Sequence, residues 1–155
     1  NAHAIEDAGA AWVTVHARTK ADGYTPPAYW EKIQPITEAL KINVIANGEI
    51  WNNADAKACL QQSNCQDIMI GRGAVTTPDL TLCIRENNDN PVLSWQDLVE
   101  LQQRFLSGQF KTEIGMIGRY KQWLGMMTKA YPEAQELWTK VKKEKQLELI
   151  LQYLK

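Results

Sequence analysis

The sequence predicts two unlike parts: an α/β segment with about three parallel strands, followed by an all-α segment. Three observations lead there. Up to about residue 90, short apolar runs alternate with segments of helical spacing. The turn-rich stretch Asn87-Asn88-Asp89-Asn90-Pro91 then interrupts the chain. Beyond it, every apolar pattern repeats at helical spacing and no strand signal remains. The chain has 155 residues and is 45% hydrophobic, enough to build real cores.

The elements follow in order. Ala2–Ala8 reads as a helix end, closed by Gly9. Ala11–Ala17 (AWVTVHA) is apolar and β-branched, as a buried parallel strand should be. From Tyr29 to Leu40, Trp30, Ile33, Ile36 and Leu40 mark one helical face. Ile42–Ala46 is a second strand. Asn53–Gln62 is an Ala-rich helix offering Ala54, Ala58 and Leu60 for packing, and Gln66–Ile70 is a third strand. Strands alternating with helices imply parallel pairing. After the boundary, Ser94-Trp95-Gln96-Asp97 resembles a capping box, with Trp95, Leu98, Leu101 and Phe105 on one face. Gly108 ends that helix. Thr112–Ala130 turns Ile114, Ile117, Leu124 and Met127 inward, Pro132 opens the next helix, and Leu147, Ile150, Leu151 and Leu154 form the last.

Three strands cannot close a barrel, and so small a sheet leaves its edges unpaired. The chain also lacks an initial Met. The expectation is a longer parent chain, or association with something that covers those edges.

Composition excludes several classes. No apolar run approaches the roughly 20 residues of a membrane helix. HExxH, CxxC and Walker A motifs are absent, and no metal is expected. Cys59, Cys65 and Cys83 are odd in number and lack metal spacing, so they read as reduced thiols of a cytoplasmic protein. Charge is uneven: residues 1–93 carry 7 Lys+Arg against 11 Asp+Glu, and residues 94–155 carry 10 against 7. The basic second part suits an anionic partner, although a solvated helix face gives the same bias.

Each strand ends in polar or glycine residues: His16 through Lys20, then Asn47-Gly48-Glu49, then Gly71-Arg72-Gly73. In parallel α/β folds ligands bind at those ends. Gly48 and Gly71 allow close backbone approach, a helix N-terminus after them favours phosphate, and Arg72 clamps it. His16 offers an imidazole to a phosphate or another polar ligand edge. Tyr24, with Arg18 and Lys20, lies on the loop after the first strand, as either a solvated loop or a substrate contact. Arg119, Lys121, Lys129, Lys140, Lys142 and Lys143 offer cations for a phosphate-binding face. The tryptophans read as core or interface rather than stacking platforms.

Three stretches, VHARTKADGY (Val15–Tyr24), VIANGEIW (Val44–Trp51) and DIMIGRGA (Asp67–Ala74), resemble in order and spacing the tRNA-dihydrouridine synthases. RYKQWL (Arg119–Leu124) is similar to the bacterial subfamily that acts on uridine 16 of tRNA. The resemblance implies the C-terminal part of a (β/α)8 TIM barrel over residues 1–90 and a helical tRNA-binding domain over residues 91–155. It implies FMN as cofactor, NADPH as reductant, tRNA as partner, and a monomeric full-length protein. Cofactor contacts carried over are His16, Asn47, Gly48, Glu49, Gly71 and Arg72. The tRNA contacts are Tyr24, Arg119, Lys121 and Lys142, while Met126 stands where a Tyr is typical. The family's proton-donating Cys and a flavin-contacting Lys precede residue 1, so no catalytic residue is expected in this chain. Two alternatives stand beside this: a dihydroorotate-dehydrogenase-like flavoenzyme acting on a free pyrimidine, and a non-catalytic tRNA-binding piece.

Overall fold

A computed structural model describes residues 1–155. They form two compact units: Asn1–Ala74 with Leu80–Asn90, and Val75–Asp79 with Pro91–Lys155.

The first unit is an α/β layer. Its strands β1 (Trp12–His16), β2 (Asn43–Asn47) and β3 (Asp67–Met69) form one parallel sheet in that order. β2 is central because its apolar run can be covered from both sides, and Val44 and Ala46 are buried. β1 is half-exposed, and Trp12 keeps 61% of its surface in solvent. The expected buried first strand is therefore an edge strand in this sheet.

α1 (Ala2–Asp7) precedes β1 and is tied to the start of β2. The Glu6 carboxylate accepts N–H bonds from Lys41 (2.6 Å) and Ile42 (3.0 Å). The connection from β1 to β2 is not the single helix that periodicity predicts. A 3₁₀ turn (Trp30–Lys32) gives way to a separate helix α2 (Gln34–Ala39). Pro35 explains the break, since its ring and missing N–H are tolerated in a first turn but not within a helix. The apolar face survives the break, with Ile33 and Leu40 buried.

α3 (Asn53–Ser63) starts at Asn52, whose side chain accepts from Asp55 N at 2.8 Å, and ends at Asn64 in the left-handed region. It buries Ala56 and Cys59 rather than the expected Ala54, which is exposed. The Ala-rich sequence has two candidate faces, and only the packing partner decides between them. Two helices were not foreseen: α4 (Arg72–Thr76) and α5 (Leu80–Arg85). Five or six residues are too few for a 3.6-residue period to register.

The second unit holds α6 (Trp95–Leu106), α7 (Glu113–Met127), α8 (Pro132–Val141) and α9 (Leu147–Gln152). The expected capping box is present: Ser94 Oγ accepts from Asp97 N, and Asp97 Oδ2 accepts from Ser94 N at 2.7 Å. Leu98, Tyr120, Leu124, Met127, Val141 and Ile150 are fully buried in its core. Ile114, expected inward, is 85% exposed. The buried stripe of α7 starts with Met116 and Ile117, and periodicity cannot tell where along a helix its neighbours begin.

Candidate cofactor and anion site at the strand ends

Parallel register brings the strand ends into line. His16 pairs with Asn47, and Asn47 with Met69. The Asn47 amide spans this row: its Nδ2 donates to the Met69 carbonyl at 2.7 Å, so its Oδ1 faces His16 and accepts from Nδ1 at 2.7 Å. Beyond these tips lies a cavity of about 360 Å³. His16, Asn47, Gly48, Glu49, Gly71 and Arg72 all line it, as does Tyr24. These seven thus share one pocket with Arg18 and Gly73, while Lys20 does not line it.

Glu49 organises its charge. The backbone there is left-handed (φ 50°), and the side chain reaches three donors. Arg18 Nη2 donates to Oε1 at 2.8 Å, Arg72 Nη2 makes a short contact with the same oxygen, and Trp51 Nε1 donates to Oε2 at 2.9 Å. Burial pushes the Glu49 carboxyl up. The Trp51 indole N–H and the two guanidiniums outweigh it and hold the group below the usual carboxylate range. Arg72 lies over two rings, 4.9 Å from the centre of Tyr24 and 5.2 Å from that of Trp51. The charged side chains lining the cavity are two arginines and one carboxylate, a net positive site.

The glycines differ in role. Gly48 has φ +131°, and a Cβ there would sit 3.3 Å from His16 and 3.4 Å from Ala28. Trp30 Nε1 fixes its carbonyl at 2.7 Å. A Cβ on Gly71 meets open space, whereas one on Gly73 would lie 2.1 Å from the Ile50 carbonyl. Gly73 therefore serves packing, and Gly71 leaves room for a ligand. The helix that follows, α4, is a five-residue turn. The positive charge of the pocket thus comes from its arginines rather than from a helix dipole.

The sequence leaves Arg18 as a solvated loop charge or a substrate contact, and reads Trp51, which lines the pocket, and Trp30, which binds the Gly48 carbonyl, as core or interface. A signal existed for the first. His16–Asn47 and Arg18–Glu49 are each separated by 31 residues, so the same parallel register that pairs the first couple sets the opposite charges of the second together.

The cysteines do not belong to the site. Cys59, Cys65 and Cys83 are buried, and none lines the pocket. Burial pushes the Cys59 thiol up to about 12.

In the helical unit, Arg119 and Lys121 stand two residues apart on α7, on different sides of the helix. Arg119 is exposed, with Nη1 at 3.4 Å from Gln122 Oε1. Lys121 is turned to the end of α8, where its ammonium donates to the carbonyls of Lys142 (3.1 Å) and Glu144 (2.5 Å). The Lys142 side chain remains exposed. Trp123 packs edge-on against Phe105 and donates to the Val75 carbonyl, so it serves packing as expected.

The family model described as dihydrouridine synthase matches residues 1–152. The chain belongs to the dihydrouridine synthase family. Among its relatives, the tRNA-dihydrouridine(16) synthase of Shewanella oneidensis is 46% identical over 99% of this chain and 49% of its own length. The proteins of that name from Pseudomonas putida and Haemophilus influenzae are 42% and 40% identical, covering 92% and 91% of this chain and 46% of their own lengths. This dihydrouridine synthase chain thus spans about half the length of the curated relatives it matches. None of its helices is long and apolar enough to cross a membrane. It holds no group of three or more His, Cys, Asp or Glu that could take a metal ion.

Proposed function

We propose that the three strand ends form the phosphate side of an FMN site in an enzyme that reduces uridine to 5,6-dihydrouridine in tRNA, at position 16, with NADPH as reductant. The observation that carries this reading is the convergence of His16, the Asn47–Glu49 turn and the Gly71–Arg72 turn on one net positive pocket. In this reading the strands are the last three of a (β/α)8 barrel, residues 1–90 belong to that barrel, and residues 91–155 form a helical tRNA-binding domain. The enzyme works in the cytoplasm on tRNA.

The residues present fit a phosphate-bearing group. Gly71 leaves open space at the pocket wall, and Arg72 is oriented by Glu49 and two rings. Arg72 and the backbone around Gly71 would hold the phosphate, while His16, fixed through Asn47, would meet another part of the flavin. When bound, the flavin supplies the hydride, and the protein supplies its position. Tyr24 is 78% exposed at the pocket rim and offers a ring to RNA. Arg119 and Lys142 present exposed cations to the phosphate backbone, with Lys121 holding the end of α8. A base within folded tRNA must leave its stack before reduction, which is why a wide RNA grip accompanies a small pocket.

The test uses a full-length protein that carries this sequence. It is purified, examined for flavin absorbance, and assayed for NADPH-dependent dihydrouridine formation on unmodified tRNA. Flavin binding with product at position 16 is expected. A colourless protein that FMN cannot reconstitute ends the proposal.

A further inference from the structure

Arg18 is the least explained side chain of the first unit. Its side chain is wholly removed from solvent, yet only Nη2 finds a partner, the Glu49 carboxylate at 2.8 Å. Nε and Nη1 are buried with no hydrogen-bond partner. A buried guanidinium with two unpaired nitrogens carries a desolvation cost that its single contact to Glu49 offsets only in part. Its position therefore points to a task other than stability.

The charge arithmetic of the pocket supplies one. Arg18 and Arg72 meet the same oxygen of Glu49, and no other carboxylate lines the cavity. With Arg72 alone, Glu49 would form a closed neutral pair, whereas the two arginines that meet its Oε1 leave the trio with a net positive charge. With Arg18 on the same oxygen, Glu49 is already balanced. It then orients Arg72, over Tyr24 and Trp51, without cancelling its charge.

We propose that Arg18 is a positioning residue for phosphate: it neutralises Glu49 from the buried side, so that Arg72 keeps a full positive charge for the anion. This rests on the flavin-phosphate reading above and names a residue that acts through two others. With its side chain wholly removed from solvent, Arg18 acts through Glu49 and Arg72.

The experiment compares FMN with riboflavin, which lacks the phosphate, by quenching of flavin fluorescence on the apo form of the full-length protein. The wild type should bind FMN more tightly than riboflavin. Arg18→Met should weaken FMN roughly tenfold, the scale of one charge-assisted contact, and leave riboflavin within about twofold. Arg18→Lys, which restores the charge, should recover most of the FMN preference. Should the Met variant not fold, Arg18→Gln, neutral but able to donate to Glu49, should show the same lost preference. Parallel weakening of both flavins, or an unchanged FMN affinity, overturns the positioning role. A wild type with no preference between the two flavins instead removes the phosphate reading on which the proposal rests.

Discussion

His16 and Asn47 are joined across β1 and β2 by a 2.7 Å bond from Nδ1 to Oδ1, and the orientation of that bond is set one strand further on. The Met69 carbonyl can only accept, so it must receive Asn47 Nδ2, and Oδ1 is left for His16. The neutral imidazole is thereby fixed as the Nδ1–H tautomer, with Nε2 as its free acceptor. Long-range ¹H–¹⁵N correlation spectra should show Nε2 unprotonated in the neutral ring. In Asn47→Ala both hydrogen bonds vanish, and the tautomers should mix.

Gly71 and Gly73 separate ligand binding from packing. Gly71→Ala places its Cβ in open space and should leave the melting temperature within about 2 °C, a surface-like change, while lowering FMN affinity. Gly73→Ala drives a Cβ to 2.1 Å from the Ile50 carbonyl and should destabilise the first unit strongly. Thermal melts of the two variants check this, and a stable Gly73→Ala protein would refute the packing role.

Acid should dissolve the Glu49 network. Its folded pKa lies below the ordinary 4.5. A carboxylate of this kind stabilises the fold fully above its unfolded pKa and loses that contribution as pH falls through the folded one. The loss therefore belongs below about pH 4.5. Melting curves between pH 7 and pH 3 should show an acid-side decline that is shallower in Glu49→Gln.

Arg119 and Lys121 should respond differently to removal. Arg119→Ala should weaken tRNA binding and lower the salt slope by about one, as for a lost phosphate contact. Lys121 is bound to the Lys142 and Glu144 carbonyls. Lys121→Ala should therefore lower thermal stability as well as affinity, with a smaller change in slope than Arg119→Ala. Equal slopes for both variants would contradict the division of roles.

Much of this was legible in the sequence because parallel strands carry their own address. Apolar runs ending in His16, Asn47 and Gly71 foretold both the elements and the common edge on which they meet. The capping box at Ser94 and the start at Pro132 were legible because caps are local chemistry. What escaped depends on packing across distance. Pro35 split a helix whose face was otherwise continuous, and α4 and α5 were too short to show a period. Arg18 reads as a solvated loop charge or a substrate contact, because its pairing is decided by Glu49, 31 residues away. Lys121 read as a free cation because its partners are backbone carbonyls, which no side-chain pattern reveals.

We propose that one phosphate-bearing flavin spans the three strand ends. A crystal structure of the full-length protein with FMN tests it most directly. The phosphate is expected within hydrogen-bonding distance of the Arg72 guanidinium, beside Gly71, with His16 on the same flavin. A flavin whose phosphate lies away from Arg72, or that binds outside this pocket, would contradict it.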